Sequence, residues 1–498
     1  MLTMNDRSNT PYTASTSDFR EVRGRTPVIA FFLGMGIIAA SIYFGHSFTF
    51  SIPFLPFSFV MTLLWRKAPR PWTYLVSISA AVPTALFRYQ FACNVVFASW
   101  FALFNTRYLF RLPKWIYVPT ILAVFGILTS SINWMSEDVE RSIMRQVTLG
   151  FNFILGPFLF LPAVYLRMRE SRDHVLNLKG LLFCLIVPST LILISAKFFG
   201  TVANAWEASL HAGDSPEGFL LYRLGRVIVN FSRTEVGFIL AALICASTAI
   251  AISRVKALYR WLAGACLLSN TFLLLATASF GSGLACLCGL VAIFYAQSRT
   301  VKITKLLISM TAIACMLLLT YSLSPPNVKK YLAKRYEHRI TNANQDRLGL
   351  WLRALEYSLE HPGGIGFTLV TGSREKIATH NDYLAYIVSY GFLGGMAYTG
   401  LVIGLLVYFL RKRRSADHSA VAIHLAGLGV IVALAVNSMT DHLTENRWYF
   451  NLIWSLVWYS YFCSRAAQKE TILEGIPNKT GVSGRTASHE KSVTGTKY

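Results

Sequence analysis

Apolar runs long enough to cross a bilayer as a helix recur along the chain, each closed by a short polar or basic segment. They fall at about 28–46, 48–65, 73–87, 89–104, 117–134, 149–166, 180–199, 234–253, 261–279, 281–297, 306–323, 382–410, 417–437 and 448–464. The pattern predicts an all-α polytopic membrane protein. It has about 12–14 transmembrane helices, the lower number applying if pieces within the tightly spaced 28–104 stretch are re-entrant.

Composition narrows the class further. Of 498 residues, 54% are hydrophobic and 14% charged, and the mean hydropathy is +0.46. A soluble domain carries about a quarter charged residues, so a soluble enzyme, a disordered chain and a secreted disulfide scaffold are all excluded. The eight cysteines lie inside apolar runs without metal-ligand spacing and read as small core hydrophobes. Met1–Arg25 is polar and too long for the basic region of a signal peptide, so the first apolar run is expected to be a retained helix.

The net charge of +23 has a topological reading, because basic residues stay on the cytoplasmic side. A cytoplasmic N-terminal segment (1–27) puts 30 of the 47 Lys and Arg residues on that side, including those of a disordered Ser/Thr/Lys/Gly-rich tail over 465–498. Nucleic acid is not an expected partner. The other 17 are clustered. Arg223, Arg226 and Arg233 close the external loop 200–233, which interrupts the bundle 28–323. Nine more lie in the loop 324–381, ahead of the C-terminal helices 382–464. Long loops translocate whatever their charge, which is one account of this. The other is a cationic bowl for an anion, and it alone explains why two loops hold most of the far-side charge.

Within the long loop, Arg347–His361 places Leu348, Trp351, Leu352, Leu355 and Leu359 at helical spacing. Pro362 and the glycines Gly363, Gly364 and Gly366 then end the helix in an abrupt turn, read here as mobile and a candidate hinge. An amphipathic helix between spans either lies on the membrane surface, holding Arg347 at its edge, or packs on the bundle.

The span after the loop opens with Thr379-His380-Asn381-Asp382. Asn381 and Asp382 suit a helix start, where they satisfy free N–H groups and oppose the dipole. A cap does not need His380. A histidine at the mouth of a membrane cleft can accept a proton from an attacking hydroxyl. His361, His442 and the remaining histidines lack such a setting, and no His, Asp and Glu group has metal spacing, so no metal and no cofactor is expected.

These residues resemble a family. Arg347-x3-Trp351, His361-Pro362-Gly363-Gly364-Ile365-Gly366-Phe367, and His380-Asn381-x-Tyr383-Leu384 followed by Gly391-x2-Gly394 are similar to motifs of bacterial O-antigen ligases and related polysaccharide polymerases. The resemblance covers about 230–460. It implies an inner-membrane glycosyl transferase with cytoplasmic termini and a periplasmic site in the large loop. Such an enzyme moves a glycan from undecaprenyl pyrophosphate to a hydroxyl of an acceptor glycan or glycolipid, alongside other polysaccharide assembly and export proteins.

By resemblance, His380 activates the acceptor hydroxyl. Arg347 and Arg233 engage the pyrophosphate with Arg226 as helper, and Asn381, Asp382 and Trp351 support them. One departure stands out. Where the family often has Thr-x-Ser-Arg-Gly, this chain reads Thr277-Ala278-Ser279-Phe280-Gly281, with phenylalanine in place of arginine. The alternative function is a flippase for lipid-linked oligosaccharide, which calls for arginines midway through the bilayer rather than in external loops.

Overall fold

A computed structural model describes residues 109–134, 151–170, 173–198, 233–277, 279–298, 348–366, 381–411, 417–440 and 447–474, together with Ser322, Lys329 and Ala333. The spans expected over 28–104 and nearly all of 306–323 lie outside the described residues, as do 1–27 and 475–498; residues 465–474, expected to begin a disordered tail, instead continue the last helix. What is described is helical, as an all-α membrane protein requires. A chain in lipid must satisfy its backbone N–H and C=O groups internally, and the helix does so residue by residue.

The elements are α1 (Lys114–Trp134), α2 (Leu161–Tyr165), α3 (His174–Phe198), α4 (Arg233–Ile252), α5 (Ala257–Thr277) and α6 (Phe280–Ser298). They are followed by α7 (348–360), α8 (Asp382–Leu410), α9 (His418–Thr440) and α10 (Arg447–Glu474). Phe151–Phe160, wound as a π-helix, leads into α2. Five of these helices are long and apolar enough to cross a membrane: α1, α5, α6, α8 and α9.

α9 is the axis of the bundle. It packs against α4, α6, α8 and α10, and almost every residue from Ser419 to Ser438 is buried or nearly so. Close approach comes from small residues, since between apolar helices in lipid the gain is contact rather than exclusion of water. A Cβ added to Gly289 of α6 would lie 2.7 Å from the Gly429 carbonyl oxygen of α9. The peripheral helices turn large apolar side chains outward, among them Phe125, Trp261, Tyr295 and Met396.

Two ends of the bundle can be told apart by who meets whom. At one end, Gln297 of α6 donates to the Ile252 carbonyl of α4 (3.2 Å), and His424 of α9 meets the Phe409 carbonyl of α8 (2.9 Å). An aromatic cluster lies towards the same end. The Trp115 indole N–H donates to the Tyr461 hydroxyl (3.2 Å), and the Arg465 guanidinium donates to that hydroxyl as well (2.9 Å). The other end carries the starts of α4 and α6 and the end of α9. It is called the site end below.

Candidate functional site

The site end is organised by a break in α8. Tyr390 (φ −122°, ψ 16°) and Gly391 (φ +68°, ψ −175°) leave helical geometry, so α8 is two helices, α8a (382–389) and α8b (392–410). The second conformation is one that residues with a Cβ hardly adopt. The break is a reversal and not a bend. Tyr383 and Tyr398 have ring centroids 5.3 Å apart, whereas fifteen residues of straight helix span about 22 Å. A Cβ on Gly394 would lie 3.2 Å from the Tyr386 carbonyl oxygen, eight residues back. α8a therefore runs antiparallel to the first turns of α8b, and the single helix expected over 382–410 is two helices, of which α8b is the longer.

The reversal closes because the loop turn takes over the hydrogen bonds it frees. In an unbroken helix the Phe392 N–H would donate to the Val388 carbonyl. Here the Phe392 N–H donates to the Pro362 carbonyl (3.2 Å), and the Val388 carbonyl accepts from the Ile365 N–H (3.0 Å). The Ser389 carbonyl accepts from the Gly366 N–H (2.9 Å). Exchange of partners gives these freed backbone groups new hydrogen bonds, which is what makes a broken helix tolerable in a membrane. α1 seals the junction. The Thr129 hydroxyl donates to the Gly363 carbonyl (3.2 Å), and a Cβ on Gly126 would lie 2.7 Å from the Tyr390 carbonyl oxygen. The turn expected to be a mobile hinge is thus held from two sides.

α8a points its N-terminus back into the bundle. Asn381 caps it, its side chain accepting from the Leu384 N–H (3.2 Å), and Asp382 in the first turn is fully buried. Both fulfil the helix-start role read from sequence, but at an inward-facing helix start. Three tyrosines fix α8a in place. Tyr386 stacks on Tyr398 (4.3 Å), the Tyr383 hydroxyl donates to the Ala435 carbonyl of α9 (3.2 Å), and the Tyr398 and Ser438 hydroxyls share a hydrogen bond (2.8 Å).

Across α9 from α8a, the chain offers more polar groups. A Cβ on Gly281 would lie 2.6 Å from the Thr440 hydroxyl oxygen and 3.8 Å from the Asn437 side-chain oxygen. The Ser279 hydroxyl donates to that of Ser282 (2.9 Å), and Gly237 of α4 lies directly beside this pair. One helical turn before Gly237, α4 begins at Arg233. The structure thus brings the start of α4, the α5–α6 turn and the start of α8a to the same end of α9. Phe280, at the departure from the family motif, is half exposed.

Of the other expected site residues, Trp351 is half-buried on α7, which meets the bundle near the break in α8 rather than near Asn381. His380, Arg347 and Arg226 lie outside the described residues. Sequence reasoning missed Tyr398, Ser438 and Asn437. The last is 1% exposed and its amide nitrogen has no hydrogen-bond acceptor among the described residues. A cluster of Asn, Ser and Thr closing an apolar run (Asn437-Ser438-Met439-Thr440) was the available signal.

Residues 263–399 match the family model of the O-antigen ligases. The matched segment takes in most of α5, all of α6 and α7, the turn, α8a and the start of α8b as far as Tyr398 and its neighbour. The O-antigen ligase resemblance read from the loop motifs therefore holds over the stretch that builds the helix reversal, and a ligase- or polymerase-type function is supported. No curated protein matches the chain.

Proposed function

We propose that the chain is an inner-membrane glycosyl transferase that moves a glycan from undecaprenyl pyrophosphate to a sugar hydroxyl, in polymerisation or ligation of a surface polysaccharide. The observation that carries this reading is the direction of α8a. Its N-terminus, which His380 precedes by two residues, turns into the bundle at the end where α4 starts with Arg233. The acceptor hydroxyl attacks the anomeric carbon of the donor. The bond from that carbon to the pyrophosphate oxygen breaks, His380 takes the hydroxyl proton, and the pyrophosphate leaves with the bonding pair. Arg233 and Arg347, with Arg226, hold the growing charge; fixed guanidinium groups suit a diphosphate because each offers paired donors. Asn381 and Asp382 set the start of α8a, and Trp351 steadies α7. No metal or cofactor has a step in this scheme.

The site faces the periplasm and both termini the cytoplasm, with 1–27 and 465–498 as cytoplasmic segments, 28–323 and 382–464 as membrane helices and 324–381 as the catalytic loop. Arg233 opens a helix instead of lying midway along one, which supports a transferase over a flippase. The test is the glycan profile of cells lacking the chain and resupplied with wild type or His380→Ala at matched expression. Single lipid-linked units accumulating with His380→Ala identify a polymerase. Finished chains held on the carrier identify a ligase, and full restoration overturns the role of His380.

A further inference from the structure

α7 presents three different faces. At about 100° per residue, Leu348, Leu352, Leu355 and Leu359 share one narrow stripe. All four are exposed, Leu359 at 71% and Leu348 at 59%. Ala354 and Ser358, about 110° round the helix from that stripe, are buried, and Ala354 clusters with Ile365 and Val388. Arg353, Glu356 and Glu360 lie about 100° round on the other side and are exposed. The helix therefore sits on protein with one side and offers charge on a second. Its third side is leucine.

We propose that this leucine stripe is immersed in the membrane leaflet at the site end, so that α7 is an interfacial anchor fixing the depth of the loop turn and of α8a. Two observations select lipid as the occupant. A helix with separate apolar and charged sectors lies along a boundary between hydrocarbon and water. The helix also joins, through its turn, two helices that leave large apolar side chains exposed. The turn after α7 is tied to Phe392 and Thr129, and the helices carrying these expose Phe392 and Met396 on α8b and Phe125 and Leu128 on α1. Anchoring then acts through the Pro362–Phe392 and Ile365–Val388 hydrogen bonds. The depth of α7 in the leaflet is passed to the break in α8, and so to the N-terminus of α8a.

The inference does not rest on the transfer chemistry. Its test uses full-length protein in phosphatidylethanolamine–phosphatidylglycerol vesicles without glycan, so its failure leaves that reading untouched. An environment-sensitive fluorophore is placed on Leu355→Cys, on Leu352→Cys and on Glu356→Cys, with labelled unsubstituted protein as background. Lipids carrying a nitroxide on the upper acyl chain serve as quencher. Severalfold stronger quenching at Leu355→Cys and Leu352→Cys than at Glu356→Cys supports the anchor, and two leucine positions guard against one substitution misfolding. Equal quenching at all three positions overturns it. So does weak quenching at the leucines that rises when protein is diluted towards one copy per vesicle, because a second copy is then the occupant.

Discussion

Tyr386 and Tyr398, twelve residues apart in one stretch of helix, stack with ring centroids 4.3 Å apart and planes 10° from parallel. Only a reversed chain permits this, and the reversal rests on glycines. Gly391 has φ +68° and Gly364 φ +82°, and a Cβ on Gly364 would lie 2.7 Å from the Ser389 carbonyl oxygen. Gly391→Ala and Gly364→Ala are each expected to destabilise the protein by at least ~1–3 kcal/mol, the scale of backbone strain at such positions. Gly264 and Gly400, by contrast, lie within helices with open space where a Cβ would stand. Gly264→Ala and Gly400→Ala should be neutral or stabilising by about 0.5–1 kcal/mol, since alanine is the better helix former. Thermal unfolding of the four variants in detergent checks the contrast, and equal midpoints would dismiss the strained junction.

The tie between α8a, α8b and α9 predicts coupling. Tyr398→Phe keeps the stacked ring but removes the hydrogen bond to Ser438, and should cost about 0.5–1.5 kcal/mol. Ser438→Ala removes the same bond from the other side. The double variant is expected to lose little more than either single one, because both erase one interaction. Additive losses in a thermal double-mutant cycle would mean that the two hydroxyls act separately.

Among the described residues the helix limits were legible because hydropathy and length are what a bilayer selects, and the expected limits 234–253 and 281–297 differ from the helices α4 and α6 by one residue at each end. The reversal in α8 was not legible. Tyr390 and Gly391 sit in an unbroken apolar run, and what stabilises their conformation is a turn 25 residues earlier in the chain, a long-range exchange of backbone partners that no local pattern encodes. The loop helix was half legible. Leucine periodicity located α7, but it is Ala354 and Ser358 that face the protein. Small residues make the close contacts between helices, so the side of α7 that packs is Ala354 and Ser358 and the leucine stripe stays exposed. The start of α8a was read correctly as Asn381 and Asp382, while the direction in which it points was not.

Two buried asparagines should answer differently to the same change. Asn270 donates to the Ser189 hydroxyl (2.9 Å), joining α5 to α3. Asn437 is equally buried, but its amide nitrogen has no acceptor among the described residues. Leucine at 270 loses a hydrogen bond while the Ser189 hydroxyl keeps its own to the Leu185 carbonyl (2.6 Å), and Asn270→Leu should cost about 0.5–1.5 kcal/mol. Leucine at 437 removes an unmet donor, so Asn437→Leu is expected to leave stability unchanged or to raise it. Matched thermal midpoints, measured without glycan, decide the case; a large loss at Asn437→Leu would reveal a partner for that amide.

In the proposed transfer, charge and hydrogen-bond geometry can be separated by substitution. If His380 accepts the acceptor's proton, His380→Ala lowers turnover by about 10²–10⁴ while the protein remains folded. Arg233 acts differently. A guanidinium offers two parallel donors to a phosphate, and lysine keeps the charge but not the fork. Arg233→Lys should therefore retain part of the activity and Arg233→Ala lose about 10²–10³ in turnover, the scale of one donor to a developing anion. Purified protein assayed in vesicles with lipid-linked donor reads these rates directly. Arg233→Lys and Arg233→Ala reduced alike would mean that paired hydrogen bonds matter more than charge. Neither reduced would remove the start of α4 from the site, leaving the pyrophosphate to the arginines of the loops.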